Sequence, residues 1–188
     1  LTMPTGLALR DGTLYVAAVS RILAFDDLVD NLDTPPEPRV VYDGFPTASH
    51  HGWKYLRFDA GGDLIVPVGA PCNICDREAP FATIQRLDLE SGETETVARG
   101  VRNSVGFDFH PDSGDLWFTD NGRDMLGDAV PPDELNHVGN EGEHFGYPYI
   151  HAGDIPDPEF GEGHKPSDYT PPMQKIPAHF AALGMTFY

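Results

Sequence analysis

The clearest pattern in the chain is a pair of short strands joined by a polar turn, seen best in residues 103–120. Apolar residues alternate with smaller or polar ones over 105–109 (VGFDF), which predicts a half-buried strand. Residues 111–114 (PDSG) have turn composition, and 116–118 (LWF) form the returning strand. This stretch is therefore predicted to be a β-hairpin, with chemically capable side chains at both of its ends.

Two similar hairpins lie upstream, in GLALRDGTLYVAAV and YLRFDAGGDLIVPVGA. The returning strands begin at Leu14, Leu64 and Leu116, which are 50 and 52 residues apart. A period near 50 residues, with a hairpin in each repeat and no helical pattern between, is typical of a β-propeller. Further strands of the first two repeats are predicted in RILAFD and IQRLDLESGETETVA, and the final LGMTFY resembles the start of a fourth repeat.

The predicted fold class is thus all-β, a β-propeller of which residues 1–188 cover about three to four blades. Because a propeller closes a ring of four to eight blades, we expect a single partial domain of a larger protein, inactive by itself. A complete small β-domain is the alternative interpretation.

Composition and charge exclude some classes of binding partner and a membrane-spanning segment. Thirty acidic residues against 12 basic ones give a net charge of −18, which argues against nucleic acids and anionic membranes as partners. No apolar run approaches the ~18 residues that would predict a membrane span.

The first candidate chemical groups are His51 and Arg102, which each lie seven residues before the aromatic residue that ends a hairpin strand. Equivalent loop positions of a radial repeat gather at one face, so both side chains and Asn103 are expected in one pocket. An imidazole beside a fixed cation is favoured in its neutral form, which suits a general base. The alternative is that His51 only caps a strand and Arg102 pairs with a surface carboxylate.

The only two cysteines, Cys72 and Cys75, lie in GAPCNICDRE. They are too few for a four-thiolate zinc site, and Asp76 follows Cys75 where covalent haem attachment needs His. A local disulfide or two free thiols remain, and export would favour the disulfide. Zinc bound with His50 or His51 is a minor alternative.

Residues 125–149 are rich in Asp, Glu, Gly and Pro and are expected to form a long insertion. Asp128, Asp133 and Glu134 in such a loop would supply the oxygen ligands that calcium prefers, although the spacing is not that of an EF-hand. Residues 154–177 show no periodicity and are predicted to be a long loop.

Three segments then suggest a family: HGWKYLRFDAGGDL, VRNSVGFDFHPDSGDLWFTDNGRD and DELNHVGNEGEHFGYP. In this order they resemble the glucose/sorbosone dehydrogenase family, quinoproteins that use pyrroloquinoline quinone (PQQ) and calcium on a six-bladed propeller. The resemblance runs from about His50 to Pro148. It implies a periplasmic or extracellular oxidoreductase for an aldose or aldehyde sugar, with a cytochrome or quinone as a possible electron acceptor.

The resemblance also implies roles for residues around the PQQ site. His51 matches the base that takes the proton from the sugar hydroxyl as hydride passes to the quinone. Arg102 matches the arginine beside the reacting carbonyl, and Asn103 matches a cofactor-binding amide. Asn121 lies at the cofactor edge.

Metal ligands follow from the same match. Gly122 and Arg123 correspond to the pair whose backbone carbonyls hold the cofactor calcium. Asp133 and Glu134 correspond to an acidic pair, of which the glutamate belongs to a second, structural calcium.

Several residues depart from the family's glucose-oxidising members. Ala70 follows PVG where those members carry an aspartate that orients the base, so His51 must be oriented by another group. Arg123 replaces a proline, and Phe145 and Tyr147 replace a tyrosine and a tryptophan. Together with the cysteine pair, these differences favour the sorbosone-type branch.

Two other function classes stay open on the sequence. A calcium-dependent propeller lactonase or related hydrolase would need several carboxylate and amide ligands on one ion. A non-catalytic propeller that binds a partner would need no redox cofactor.

Overall fold

The computed structural model describes residues 3–188, which form short strands joined by turns and long loops. Its strands, in chain order, are β1 Gly6–Arg10, β2 Thr13–Ala17, β3 Ile22–Phe25, β4 Arg39–Tyr42, β5 Arg57–Phe58, β6 Leu64–Val68, β7 Thr83–Leu87, β8 Thr94–Arg99, β9 Phe107–Phe109, β10 Leu116–Asp120, β11 Asp133–His137, β12 Glu143–His144, β13 Ile150–His151, β14 Ile155–Pro156 and β15 Gln174–Ile176. Two short 3-10 helices, Leu28–Asp30 and Pro166–Asp168, are the only helices among the described residues.

The strands build three successive blades. The first blade has the order β1-β2-β3-β4, the second β5-β6-β7-β8, and the third β9-β10-β11-β15. The returning strands of the three predicted hairpins are β2, β6 and β10, each paired antiparallel with the strand before it. The all-β propeller-blade architecture predicted from the repeats is confirmed, while six blades in a complete ring stays a prediction.

The second blade is buried on both faces, because alternate residues of its strands pack against different neighbours. Leu64 and Val66 of β6 pack with Ile22 of the first blade, whereas Ile65 packs with Phe107 and Phe118 of the third. Successive side chains of a strand point to opposite faces, so one strand serves two cores. Burial of these apolar side chains fixes the relative positions of the blades.

Two expectations for the acid-rich region need correction. Asp133 and Glu134 lie in strand β11, not in a loop. The misinterpretation has a physical cause, since acidic and amide residues are poor strand formers. Their polar groups are satisfied here by hydrogen bonds from backbone N–H groups and a neighbouring amide.

Residues 154–177 are likewise not a continuous loop. They include β14, which pairs with β13, and β15, which pairs with β11 and completes the third blade. β15 is only three residues long and largely exposed, so no alternating pattern marks it in the sequence. Ahead of this range, β12 adds to the edge of the second blade by pairing parallel with β8.

The final segment, predicted to begin a fourth repeat, lies against β9 without forming a strand. Thr186 Oγ1 and Phe187 N donate hydrogen bonds to the Asp108 carboxylate at 2.7 and 3.0 Å. A Cβ at Gly106 would collide with the Leu183 carbonyl oxygen, much as a Cβ at Gly6 would collide with the Lys54 carbonyl oxygen. The segment therefore packs on the third blade much as the second blade packs on the first.

No helix within residues 3–188 has the length and apolar character needed to cross a bilayer.

The contact between the second and third blades yields a stability prediction. Phe118 is fully buried and makes an edge-to-face contact with Phe145, with ring centroids 5.0 Å apart. Phe118→Ala should lower the free energy of unfolding of the full-length protein by about 3–5 kcal/mol, because it leaves a cavity in this core. Urea denaturation would measure the loss, and Met125→Ala, at an 88% exposed position, should change it by less than about 0.5 kcal/mol. Equal effects of the two substitutions would contradict this packing.

Candidate functional site

A cavity of about 260 Å³ opens where the loops of the second and third blades meet the final segment. Its walls include most of the residues singled out from the sequence, namely His51, Arg102, Asn103, Asn121, Gly122 and Asp133, together with Asp124 and His179. The equivalent positions of adjacent repeats therefore do gather at one face. Arg123 and Glu134 instead line a small internal cavity behind this wall, next to Arg102 and Asp120.

His51 is oriented by the backbone. Its Nδ1 lies 2.9 Å from the carbonyl oxygen of Ala70. A carbonyl can only accept a hydrogen bond, so Nδ1 carries the hydrogen and Nε2 keeps its lone pair. The Ala70 carbonyl thus orients His51, a role for which the sequence contains no aspartate at position 70.

Gly69 allows this arrangement because it has no side chain. A Cβ at this position would lie 2.6 Å from the Cβ of His51 and 3.3 Å from the Arg102 carbonyl oxygen. His51 itself has a φ of +50°, an uncommon backbone conformation for a residue other than glycine. Both features show a backbone that is closely packed around the imidazole.

The electrostatic surroundings keep His51 neutral. Burial lowers its pKa to about 4, and the positive charge of Arg102 acts in the same direction. At neutral pH the ring is therefore unprotonated, as expected from the sequence. A neutral imidazole with a free Nε2 is able to accept a proton.

Arg102 is almost fully buried, with 4% of its surface exposed, and three oxygen atoms hold its guanidinium. Its Nε donates to the Asn73 carbonyl at 2.8 Å, Nη2 to Asn73 Oδ1 at 2.9 Å and Nη1 to the Asn121 carbonyl at 3.1 Å. All three acceptors are uncharged, and the carboxylate of Asp124 lies 3.8 Å from Nη2 and is largely exposed. The guanidinium is therefore oriented by uncharged acceptors, with the Asp124 carboxylate as a longer, largely exposed ion-pair partner.

The two predicted amides are fixed to each other through the backbone. The Asn103 carbonyl accepts hydrogen bonds from the backbone N and from Nδ2 of Asn121, at 3.3 and 3.0 Å. Asn121 Oδ1 is buried and has no hydrogen-bond partner among the described residues. A buried acceptor without a partner is a position at which a ligand or cation can be bound.

Asp133 and Glu134 were grouped as an acidic pair, but the structure separates them. As neighbours in β11 they point to opposite faces of the blade. Asp133 accepts hydrogen bonds from Gly122 N and Ala181 N, both at 2.8 Å, and lies at the open cavity. Glu134 instead faces the internal cavity.

The cross-strand partner of Glu134 is Asp120. Asp120 accepts hydrogen bonds from the backbone N of Arg102 and of Asn103, at 2.8 and 2.6 Å. Burial raises the pKa of both carboxyl groups, and at Asp120 the neighbouring charge of Glu134 raises it further. Asn136 Oδ1, in the same strand as Glu134, is also buried and has no hydrogen-bond partner within residues 3–188. This internal set of oxygens suits a bound cation, which would relieve the repulsion.

Gly122 and Arg123 follow β10 directly. Their carbonyl oxygens accept no hydrogen bond from the rest of residues 3–188 and stay available as ligands. The side chain of Arg123 is occupied elsewhere, in a buried ion pair 2.5 Å from Asp157, which also contacts His151. No three carboxylate, imidazole or thiolate side chains of the described chain form a metal site by themselves, so any ion here needs backbone or amide oxygens as well.

Cys72 and Cys75 form a disulfide with a Cα–Cα distance of 6.2 Å, which confirms the local bridge and leaves no thiols for zinc. Tyr147, one of the residues that depart from the family's glucose-oxidising members, lies beside it and accepts a hydrogen bond from Cys75 N at 3.0 Å.

Three contributors to the site were not identified from the sequence. The Ala70 carbonyl belongs to the backbone, so the residue type gives no indication of its role. Asn73 accepts a hydrogen bond from Arg102, which is 29 residues away in the sequence. Asp120 was covered only by the general expectation of chemically capable side chains at the hairpin ends, although its position between a buried strand and Asn121-Gly122 marks a strand end. Strand ends are where such residues are expected, and that signal was present.

Comparison with known proteins identifies the family that this chain matches. Residues 77–188 match the family described as Glucose / Sorbosone dehydrogenase. A protein of Borreliella burgdorferi, described as uncharacterized, is 34% identical over 199 residues, covering 100% of this chain and 52% of the relative. The chain thus spans about half the length of this curated relative.

Solved structures with the same arrangement include a Trichoderma reesei protein of Carbohydrate-Active Enzymes Family AA12, with a TM-score of 0.84 at 20% identity. The alignment covers 95% of this chain and 57% of that one. The PQQ domain of pyranose dehydrogenase from Coprinopsis cinerea has a TM-score of 0.81 at 16% identity, covering 97% and 56%. The PQQ-bound aldose sugar dehydrogenase of Streptomyces coelicolor has a TM-score of 0.57 at 17% identity, covering 94% and 69%. At these identities the likenesses show the fold.

The internal carboxylate pair predicts a pH-dependent stability in protein stripped of metal ions. Burial raises the pKa of Glu134 above its ordinary 4.5, so the folded protein retains a proton that the unfolded chain releases. The free energy of unfolding should therefore fall as pH rises from about 4.5 through neutrality. Thermal melts at a series of pH values should show a smaller fall for Glu134→Gln, which carries no charge.

Glu162→Gln, at an exposed position, is the matched control and should follow the parent protein. Calcium at neutral pH should raise the melting temperature of the parent more than that of Glu134→Gln. Identical pH and calcium responses in parent and Glu134→Gln would show that this carboxylate holds neither proton nor cation.

Proposed function

The chain belongs to the glucose/sorbosone dehydrogenase family, and on this premise we propose that it carries the reacting centre of a PQQ-dependent dehydrogenase for an aldose or aldehyde sugar. One observation supports the proposal most strongly. A neutral His51 with a free Nε2 shares a cavity with Arg102, whose buried charge is oriented by uncharged acceptors. This pairing of a proton acceptor with a fixed positive charge suits alcohol or aldehyde-hydrate oxidation.

The residues present fit the cofactor. PQQ is planar, aromatic and anionic, and Arg102 has five N–H groups of which the protein uses three. The side-chain amide of Asn103 makes no hydrogen bond within residues 3–188 and faces the cavity. A second cavity of about 260 Å³ shares Asn103 and Leu183 and is lined by Trp53 and Tyr55, which suits a flat ring. When bound, PQQ would supply the hydride acceptor.

Each side chain then has a separate task. Nε2 of His51 takes the proton from the substrate hydroxyl, while the Nδ1–H bond to Ala70 keeps that nitrogen facing the cavity. Arg102 attracts the anionic cofactor and stabilises negative charge developing beside it. Because the site is partly buried, the effect of this charge is greater than it would be in water.

Calcium would be held at two places. The carbonyl oxygens of Gly122 and Arg123, with Asn121 Oδ1 nearby, would hold the ion of the cofactor. Glu134, with Asp120 and the amide of Asn136, would hold a structural ion. The internal position of the second set, at the pairing of β10 with β11, suits a role in stability.

Further parts of the proposal concern the whole protein. A substrate of the sorbosone type is favoured by Ala70, Tyr147 and the disulfide. A periplasmic or extracellular location agrees with the disulfide, which persists in oxidising compartments. A cytochrome or quinone would take up the electrons.

The function is tested by adding PQQ and calcium to the full-length protein and following dye reduction with a panel of aldoses and aldehydes. Substrate-dependent dye reduction that requires both PQQ and calcium is expected. Hydrolysis of lactones without PQQ would instead support a propeller hydrolase. Absence of PQQ binding together with absence of either reaction would support a binding module.

Substitutions of His51 and Arg102 distinguish a role in proton transfer from a role in PQQ binding. His51→Ala should leave PQQ affinity largely intact and lower kcat about 10²–10⁴-fold, the usual contribution of a positioned base. Arg102→Ala should weaken PQQ binding and lower kcat together, because its charge acts on the bound cofactor and on the developing charge.

His50→Ala is the matched control, since the His50 ring lies 4.1 Å from that of His51 but outside the cavity wall. It should keep kcat within a few-fold of the parent. Near-normal kcat in His51→Ala would remove His51 from the mechanism.

A further inference from the structure

The disulfide loop of residues 72–75 lies directly against the guanidinium of Arg102. Its second residue, Asn73, supplies two of the three hydrogen-bond acceptors that orient this group, one from its backbone and one from its side chain. The remaining acceptor is the Asn121 carbonyl. No other side chain within residues 3–188 makes a hydrogen bond to the Arg102 guanidinium.

Asn73 also connects this loop to the loop that follows β10. Its Oδ1 accepts a hydrogen bond from Asp124 N at 2.8 Å, and its Nδ2 donates to the Asp124 carbonyl at 3.1 Å. The amide group of one side chain thus contacts the guanidinium and both polar backbone groups of Asp124. These contacts allow one orientation of the Asn73 side chain, because exchange of its oxygen and nitrogen would break all three.

The other side of the loop is fixed to the protein body. The disulfide joins Cys72 to Cys75 and encloses Asn73 and Ile74. The hydroxyl of buried Tyr147 accepts the Cys75 N–H and lies 3.5 Å from Cys72 Sγ. The backbone carbonyl of Asn73 is therefore held in place independently of its side chain.

The chemistry of the acceptors matters as much as their position. A carboxylate in place of Asn73 would also hold the guanidinium, but it would cancel much of the charge that the cavity presents. Amide oxygens give direction and leave the net charge unchanged. Arginine has a long side chain with many rotamers, so such support reduces the entropy lost when a ligand binds it.

We propose that Asn73 is a positioning residue for Arg102, and that the Cys72–Cys75 disulfide serves to hold it there. The expected effect of Asn73 on PQQ binding rests on the function proposed above. Its effect on the orientation of Arg102 is independent of that function and can be measured in the cofactor-free protein.

The first test uses the pKa of His51, measured by NMR on the full-length apoprotein with labelled histidine. The charged groups that act on His51 are Arg102, His50 and Asp124, and Arg102 is the strongest of them in lowering its pKa. Asn73→Ala removes one acceptor of the Arg102 guanidinium and both contacts of the Asn73 amide with Asp124, so the guanidinium should move. The pKa of His51 should then rise from about 4, but only part of the way to 6.5, because the ring stays buried. A double Cys72→Ser, Cys75→Ser variant should raise the pKa further, because the backbone acceptor is loosened as well.

Ile74→Ala is the matched control within the same disulfide loop and should leave the pKa of His51 unchanged. The melting temperature of each variant is recorded, so that a general loss of structure is recognised. A rise in Asn73→Ala at a nearly unchanged melting temperature supports the proposal. An unchanged pKa in both Asn73→Ala and the double serine variant would overturn it.

The second test is PQQ titration followed by absorbance. Asn73→Ala should bind PQQ about tenfold more weakly, in line with loss of one hydrogen bond to a charged group, while Ile74→Ala should bind as the parent does. If the parent itself binds no PQQ, the proposed function fails and the pKa measurement still decides the role of Asn73. If the parent binds PQQ and Asn73→Ala binds it equally well, Asn73 has no positioning role towards the cofactor.

Discussion

The carboxylate of Asp120 holds together the two ends of the hairpin that carries the site. It stands at the end of β10 and accepts the backbone N–H groups of Arg102 and Asn103, which lead into β9. These two bonds fix the backbone from which the side chains of Arg102 and Asn103 extend. The arrangement has a cost, because a buried carboxylate beside Glu134 needs a proton or a cation to be stable. The geometry of the open cavity therefore depends on how the charges of Asp120 and Glu134 are neutralised in the internal cavity.

The second constraint is the packing of the blades. The central blade buries both of its faces, so its loops cannot shift relative to those of its neighbours without disturbing two cores. His51 and Arg102 enter from different blades, and they meet through Gly69, Ala70 and the Ala70 N–H bond to the Arg102 carbonyl at 2.8 Å. The relative position of His51 and Arg102 is thus fixed by the contact between two blades and not by either blade alone.

These two constraints explain how far the sequence could lead. The hairpins and their period were predictable, because alternation and turn composition are local signals, and the shared location of His51 and Arg102 followed from the period. The opposite orientation of Asp133 and Glu134 was not predictable while β11 was taken for a loop, since only a strand gives neighbouring residues opposite faces. β15 and the contacts of Asn73 were also out of reach, because each depends on a partner far away in the chain. The sequence left a Cys72–Cys75 disulfide and two free thiols open, and it could not show that the bridge encloses a support for Arg102.

The route of the chain between β11 and β15 interlocks two blades. After β11 of the third blade the chain adds β12 to the edge of the second, and only then returns with β15 to finish the third. The third blade is not a continuous segment, and the second receives its edge strand β12 from inside that segment, so neither can be excised, exchanged or permuted as a module without disturbing the other. The two blades that frame the cavity should consequently open and close as one cooperative unit. The four strands of the first blade are consecutive and no strand from another segment is added to them, so this blade has no such restriction and should accept insertions more readily.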